Sequence, residues 1–135
     1  MATDGNIKFK VRLAAMDAPE RGQPYSKVAK HLLSEYVLDE SILIRPVGSG
    51  LDRYGRVLGH VSVNNKDVAL RLIEEGLASY YRPTCQDYPA DKKKYNYEPA
   101  LYVQAEQQAR QKKRNMWSEA SVILACSYRR QPKHP

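Results

Sequence analysis

The stretch Asn6-Ile7-Lys8-Phe9-Lys10-Val11-Arg12-Leu13-Ala14-Ala15-Met16-Asp17-Ala18-Pro19-Glu20 decides the reading of the fold. Ile7, Phe9 and Val11 alternate with Lys8, Lys10 and Arg12, the period-two pattern of a strand with one buried face. Pro19 has no N–H for a ladder and biases Ala18 toward extended backbone, so the strand is expected to end near Asp17 in an Asp-Ala-Pro-Glu turn. Upstream, Asp4-Gly5 is a hairpin-turn pair. Only three residues precede it, and the partner strand is expected to be missing.

Downstream, Val28, Leu32, Leu33, Tyr36 and Val37 recur at helical spacing after Ser26, a residue suited to the N-cap. Ile42 to Ile44 reads as a second strand, ended by Pro46 and the Val47-Gly48-Ser49-Gly50 segment. Asp52-Arg53-Tyr54-Gly55-Arg56 is a turn in which Gly55 can take a positive φ. Val57, Gly59, Val61 and Val63 then alternate as a third strand, and Asn64-Asn65 turns the chain. Val68, Leu72, Ile73 and Leu77 mark a short helix closed by Gly76. Residues 82–99 form a long polar stretch rich in Pro and Tyr, and loops of that length are usually functional or mobile. Pro99 opens a last helix whose apolar face is expected to carry Leu101, Ala105, Gln108 and Ala109. The expected organisation is one domain over residues 1–126 and a basic tail over 127–135 that frays.

The 135 residues carry 22 Lys and Arg against 15 Asp and Glu, a formal net charge of +7. A chain of this length buries roughly two thirds of the surface it exposes when unfolded, so it needs no disulfide scaffold. Cys85 and Cys126 are most simply read as unlinked thiols, although one bridge is open to an exported protein. Apolar runs such as Leu13 to Met16 are only a few residues long, and neither a membrane-spanning helix nor a secretory signal peptide is expected; the compartment stays open. There is no CxxC pair, HExxH, Walker loop or GxGxxG, which argues against zinc, nucleotide-triphosphate and dinucleotide chemistry. The positive charge favours a polyanionic partner.

Chemistry narrows the candidates further. Attack on a phosphodiester adds negative charge to the non-bridging oxygens, so catalysis needs fixed positive charge. Arg12 and Arg56 suit that task, because a guanidinium stays ionised and offers two donors in a fixed fork. Asp17 is a candidate ligand for a hard divalent cation, calcium rather than zinc, and Glu20 a candidate general base. In a strict strand Arg12 and Asp17 would point to opposite faces, so a bulge or the Pro19 bend must bring them together. Taken singly, these residues have ordinary explanations: an exposed ion pair, a solvated turn carboxylate, a turn with Tyr54 as a lid. Tyr80, Tyr81, Tyr95 and Tyr97 near Lys92, Lys93 and Lys94 suit base stacking beside phosphate-attracting charge, or packing on the core. Lys112-Lys113-Arg114 reads as a solvated helix end and Trp117 as core. His31, His60 and His134 lack metal-ligand spacing.

As an ordered set, Arg12-Leu-Ala-Ala-Met-Asp17-Ala18-Pro19-Glu20, Asp52-Arg-Tyr-Gly-Arg56, Asn65-Lys-Asp-Val, Gly76-Leu-Ala, Ala105-Glu106 and Asn115-Met-Trp117 resemble the staphylococcal nuclease (thermonuclease) family over about residues 7–120. The resemblance implies an α+β fold, a small OB-type β-barrel with three helices. It also implies a calcium-dependent phosphodiesterase that cuts DNA and RNA to leave 3'-phosphate ends. By the same resemblance Asp17 and the backbone carbonyl of Ala18 hold the metal, Glu20 is the base, and Arg12 and Arg56 bind the scissile phosphate; Arg53, Tyr54, Tyr80, Tyr81 and Lys92 to Lys94 are the candidate nucleic-acid contacts read from the residues themselves. Two departures stand out. Ala18 replaces the usual Thr, and the family's further metal-binding Asp, on an earlier strand, has no counterpart; Asp4 falls at the hairpin turn. The sequence therefore reads as a barrel short of its N-terminal strands, with two further readings beside the nuclease. One is an inactive module that holds nucleic acid or protein, like the nuclease-like domains of the Tudor nuclease. The other is pairing with a second chain, or with itself, at the open barrel edge.

Overall fold

The computed structural model describes residues 2–5, 7–81 and 99–131. Lys92 to Lys94, Tyr95, Tyr97, Cys85 and His134 lie outside the described residues. In chain order the elements are β1 (Ala2–Asp4), β2 (Ile7–Phe9), β3 (Val11–Leu13), β4 (Met16–Asp17), α1 (Ser26–Val37), β5 (Leu43–Leu51), β6 (Val57–Val63), β7 (Lys66–Asp67), α2 (Val68–Glu74), β8 (Ser79–Tyr80), α3 (Ala100–Gln111), a 3₁₀ turn (Asn115–Ser118) and α4 (Ala125–Arg129). The architecture is α+β. The described strands form three separate sheets rather than a closed barrel.

The Asp4-Gly5 turn does have its partner strand, contrary to expectation: three residues suffice, and β1 pairs antiparallel with β2 from Ala2↔Phe9 to Asp4↔Ile7. The central sheet has the order β3-β6-β5. β3 runs parallel to β6 with Arg12 opposite Leu58, β5 runs antiparallel to β6, and β7 also pairs with β6. The expected end of the second strand at Pro46 is also corrected, since β5 continues to Leu51. Proline costs a ladder donor, but β5 is at the edge of this sheet, where that loss is tolerated. Pro46 sits opposite Gly59, and a Cβ at Gly59 would lie 2.8 Å from the carbonyl oxygen of Arg45. Glycine is what lets the two strands approach.

Asn64 and Asn65 both take positive φ, the two-residue turn that matches strand twist, and bring β7 back onto β6. Asp67 ends β7 and caps α2 by accepting a hydrogen bond from the Leu70 N–H at 3.0 Å. Gly76, at φ +72°, closes α2, where a Cβ would stand 2.3 Å from the carbonyl oxygen of Arg114. Arg114 and Asn115 in turn donate to the carbonyls of Glu74 and Glu75. Arg114 is thus a helix-end brace, while Lys112 and Lys113 remain exposed.

Val61, Val63, Val68, Ala69, Leu72, Ile73, Leu77 and Ala78 form the centre of the core, with Ala29 from α1 and Tyr102 and Ala105 from α3. Ser26 is not the cap of α1; Tyr25, in a left-handed conformation, precedes the helix without a side-chain capping bond. The buried face of α3 carries Tyr102, Ala105, Glu106 and Ala109, whereas Leu101 is 59% exposed and Gln108 is exposed. Two side chains that look polar supply the packing instead. The Tyr102 hydroxyl donates to Asp67 Oδ2 at 2.5 Å and lies 3.1 Å from His60 Nδ1, and Glu106, fully buried, accepts from the Tyr80 N–H at 3.0 Å and pairs with Arg110. Trp117 is half-buried, with the Arg110 guanidinium 4.2 Å from its ring centroid.

Cys126 is buried and disulfide-bonded, which corrects the expectation of unlinked thiols. The segment from Ser127 does not begin as a frayed tail: residues 125–129 are helical and packed through Ala125 and Cys126. No helix among the described residues is long and apolar enough to cross a membrane.

Candidate active site

Arg12 and Asp17 meet because the backbone reverses between them. Ala15 takes φ +70°, which separates β3 from β4. The Arg12 guanidinium spans this turn, donating to the Leu13 carbonyl at 2.8 Å, the Met16 carbonyl at 2.9 Å and Asp17 Oδ1 at 3.2 Å. The bend that the spacing demands is therefore at Ala15, before Pro19. Five guanidinium N–H donors less these three bonds leave two for a ligand. Arg12 also lies 5.9 Å from the centroid of the Tyr81 ring.

Asp17 is held from below. It pairs with Ser79 across β4 and β8, and the Ser79 hydroxyl donates to its carbonyl at 3.3 Å. The residue is 5% exposed. A carboxylate this buried needs charged or hydrogen-bonding partners, and Arg12 is only one of them. Arg129, on α4, grips Asp17 with both ends of its guanidinium: Nη1 lies 3.2 Å from Oδ1 and Nη2 3.0 Å from Oδ2. Nη1 also donates to Glu20 Oε1. The bonds to Asp17 raise the pKa of Arg129 above its ordinary value against the opposing effect of burial, and Glu20 adds to the rise.

Arg129 is the residue that sequence reasoning missed. The segment Ser127-Tyr128-Arg129-Arg130 has no motif and reads as a basic, fraying end. Asp52 reads from sequence only as the start of a turn; in the structure it is the partner of Arg56, four residues on. Its Oδ1 accepts from the backbone N–H groups of Tyr54 and Arg56, both at 2.9 Å, and its Oδ2 from Arg56 Nε at 2.6 Å. Burial pushes the Asp52 carboxyl up, yet these bonds outweigh it and hold it below the usual range.

Arg56 immediately precedes β6, the strand that pairs with β3, whose register begins with Val11 opposite Val57. No hydrogen bond or ion pair among the described residues links Arg56 to Arg12, Asp17 or Glu20. The structure thus gathers Arg12, Asp17 and Glu20 and leaves Arg56 on the adjoining strand end, locked to Asp52. Tyr54 is exposed and flanked by the Arg53 and Arg56 guanidiniums, 5.0 and 5.4 Å from its ring centroid. Tyr80 is different. At 3% exposure, stacked on Tyr102, it has no free face for a base, which corrects its place among the nucleic-acid contacts. Tyr81 is half-buried beside Arg12.

The donors at Asp17, the Ala18 carbonyl and Glu20 are all oxygen, the kind that calcium takes. They fit the ion in type. No group of three or more His, Cys, Asp or Glu side chains gathers to hold a metal among the described residues. His60 has no part in such a site. Burial lowers its pKa against the opposing charge of Asp67, and it sits behind Tyr102.

A strand-borne arginine facing a buried aspartate, with a glutamate three residues on, is the arrangement expected of a phosphodiesterase-type site. The sequence comparison carries this to a family: the chain belongs to the staphylococcal nuclease homologues, matched over residues 10–119. An uncharacterized endonuclease of Haemophilus influenzae is 33% identical over 131 residues, 97% of this chain and 66% of that protein. A probable endonuclease, LCL3, of Komagataella phaffii is 26% identical over 93% of this chain and 56% of its own length. The staphylococcal-like nuclease CAN1 of Arabidopsis thaliana is 32% identical over 91% of this chain and 34% of its own length. The chain thus spans about two thirds or less of these relatives. Arg129 lies beyond the part matched to the family.

Proposed function

We propose that this chain is a calcium-dependent nuclease that hydrolyses phosphodiester bonds of DNA and RNA and leaves 3'-phosphate ends. The observation that carries the reading is the meeting of Arg12, Asp17 and Glu20 at one place in a chain of the nuclease family. Relatives named as endonucleases support it.

Arg12, braced by the Leu13 and Met16 carbonyls, presents its remaining donors to the scissile phosphate without a further loss of side-chain freedom. Arg56, aligned by Asp52, approaches the same phosphate from β6 and offsets charge that develops on the non-bridging oxygens. Glu20 takes the proton from the attacking water. Calcium, when bound at Asp17 and the Ala18 carbonyl, supplies positive charge and Lewis acidity beside the phosphate. Tyr54 and Tyr81, each near an arginine, offer ring faces to the flanking bases. The fold that accompanies this reading is a small OB-type barrel in which β3, β6 and β5 form one wall.

The test is cleavage of a labelled single-stranded DNA with millimolar calcium, beside a chelator lane and a Glu20→Gln lane. Loss of substrate that needs both calcium and Glu20 is the expected result; cleavage indifferent to both overturns the reading.

One observation favours a second reading, an inactive module that holds nucleic acid. Arg129 neutralises both Asp17, the candidate metal ligand, and Glu20, the candidate base. On that reading DNA retardation on a gel survives chelation, falls steeply with salt through counterion release, and is accompanied by no cleavage.

A further inference from the structure

We propose that Arg129 and a divalent cation are alternative occupants of the Asp17 carboxylate beside Glu20, so that Arg129 is a tethered competitor that sets the metal affinity of the site. The inference rests on the calcium reading given above and adds to it a residue outside the family match.

Crowding and charge repulsion drive the alternation. Calcium binds carboxylate oxygens at roughly 2.3–2.6 Å. Both oxygens of Asp17 already carry a guanidinium nitrogen, Oδ1 from Arg12 and Arg129 and Oδ2 from Arg129, and the same Arg129 nitrogen reaches Glu20. A cation on Oδ2 would share that oxygen with Arg129 Nη2, and one between Asp17 and Glu20 would sit against Nη1. Like charges at such separations repel, more so beside a residue that is 5% exposed. Arg12 is in another position. Its bonds to the Leu13 and Met16 carbonyls hold it whether or not Asp17 also holds a cation.

Arg129 can leave without disturbing the core. Its side chain is 41% exposed, and its three bonds all end on the two carboxylates. The helix that carries it is anchored by other groups: buried Ala125, buried and disulfide-bonded Cys126, and Tyr128, whose hydroxyl packs against Gly22. Rotation of the Arg129 side chain into water therefore exposes Asp17 and Glu20 while α4 stays in place. Because the two occupants exclude each other, each weakens the other by the same factor.

The experiment is calcium titration by calorimetry, without nucleic acid, on the full chain and on Arg129→Gln. The expected result is calcium binding about tenfold tighter in R129Q, within the usual range for coupled ligands; binding detected only in R129Q supports the proposal equally. Equal affinity in the two proteins overturns the competition while leaving calcium at Asp17 in place. Absence of binding in both overturns the calcium reading and the competition with it. Should R129Q fail to fold, the unmutated protein decides: calcium saturation is expected to shift the Arg129 Nε–H resonance toward that of a free guanidinium, and an unmoved resonance at saturation overturns the proposal.

Discussion

The guanidinium of Arg129 lies flat against the carboxylate of Asp17, with Nη1 3.2 Å from Oδ1 and Nη2 3.0 Å from Oδ2, across 112 residues of sequence. This pairing ties the last described helix to the strand-end turn where the chemistry is proposed. It also gives Glu20 and Asp17 a common partner, so the two carboxylates behave as one electrostatic unit. A substitution at any one of the three residues changes what the other two face.

Glu20 is the most direct case. In Glu20→Gln the side chain keeps its shape and an acceptor oxygen for Arg129 but can no longer take a proton from water. Loss of a positioned general base costs about 10²- to 10⁴-fold in rate. The expected outcome is a fall in kcat of that order with DNA affinity unchanged, read from single-turnover cleavage beside a gel-retardation titration.

Arg12 is expected to act on stability as well as on rate. Three part-buried bonds hold the Ala14-Ala15 reversal, two of them to the backbone carbonyls of Leu13 and Met16. Bonds from a charged donor contribute about 1.5–3 kcal/mol each at most, and the losses overlap when one side chain makes all of them. Arg12→Ala should therefore unfold at lower urea by about 1–3 kcal/mol and lose cleavage. Arg56→Ala removes only the contact to Asp52 and the Tyr54 face, so its loss of cleavage should come with a much smaller change in the urea midpoint.

His60 gives the protein a pH dependence of definite sign. In the unfolded chain its imidazole takes a proton near pH 6.5; in the folded chain burial lowers that pKa, with Asp67 opposing. The unfolded state therefore binds more protons below about pH 6.5, and linkage makes stability fall there as pH falls. Above pH 6.5 His60 contributes no slope. Melting temperature measured from pH 7.5 down to 5 should decline more steeply in the unmutated protein than in His60→Asn, and parallel curves would remove His60 from the account.

Gly76→Ala tests the junction of α2 with the 3₁₀ turn. Gly76 is at φ +72°, where an L side chain is strained, and its new Cβ would meet the Arg114 carbonyl oxygen at 2.3 Å. The atom in the way is backbone, which cannot swing aside. The left-handed backbone costs about 1 kcal/mol by itself. With the clash added the total should exceed about 2 kcal/mol, measured by urea denaturation.

Local signals made much of this legible in the sequence. The alternation in Val57–Val63, the paired asparagines at 64 and 65, Gly76 and Pro99 each encode their conformation within a few residues, and each is found as read. The positions that were not legible depend on distant partners. Ala15 carries no mark of a left-handed turn; Arg12, bonded across it, holds it there. Pro46 reads as a strand end until the edge position of β5 is known. Leu101, expected on the buried face, is exposed, and Tyr102 is buried because Asp67 and His60 supply partners for its hydroxyl. At the candidate site Arg12, Asp17 and Glu20 stand in one short motif and were readable together, while Arg129 comes from a segment with no pattern of its own.

The anchoring of that segment makes the last prediction. Cys126 is buried and disulfide-bonded, three residues before Arg129 and on the same short helix. A five-residue helix has too few internal bonds to persist alone. Its position therefore depends on the bridge and on the packing of Ala125 and Tyr128. Thiol titration of the denatured, unreduced protein should find no free thiol, and two after reduction, the full cysteine content. Reduction of the folded protein should lower stability by about 2–4 kcal/mol, the usual contribution of one disulfide. It should also raise amide exchange across residues 125–129, because the helix loses its anchor while Asp17 keeps Arg12. Free thiols in the unreduced protein, or exchange at 125–129 indifferent to reductant, would show that α4 is held by the packing of Ala125 and Tyr128 and by the Arg129 pairs rather than by the bridge.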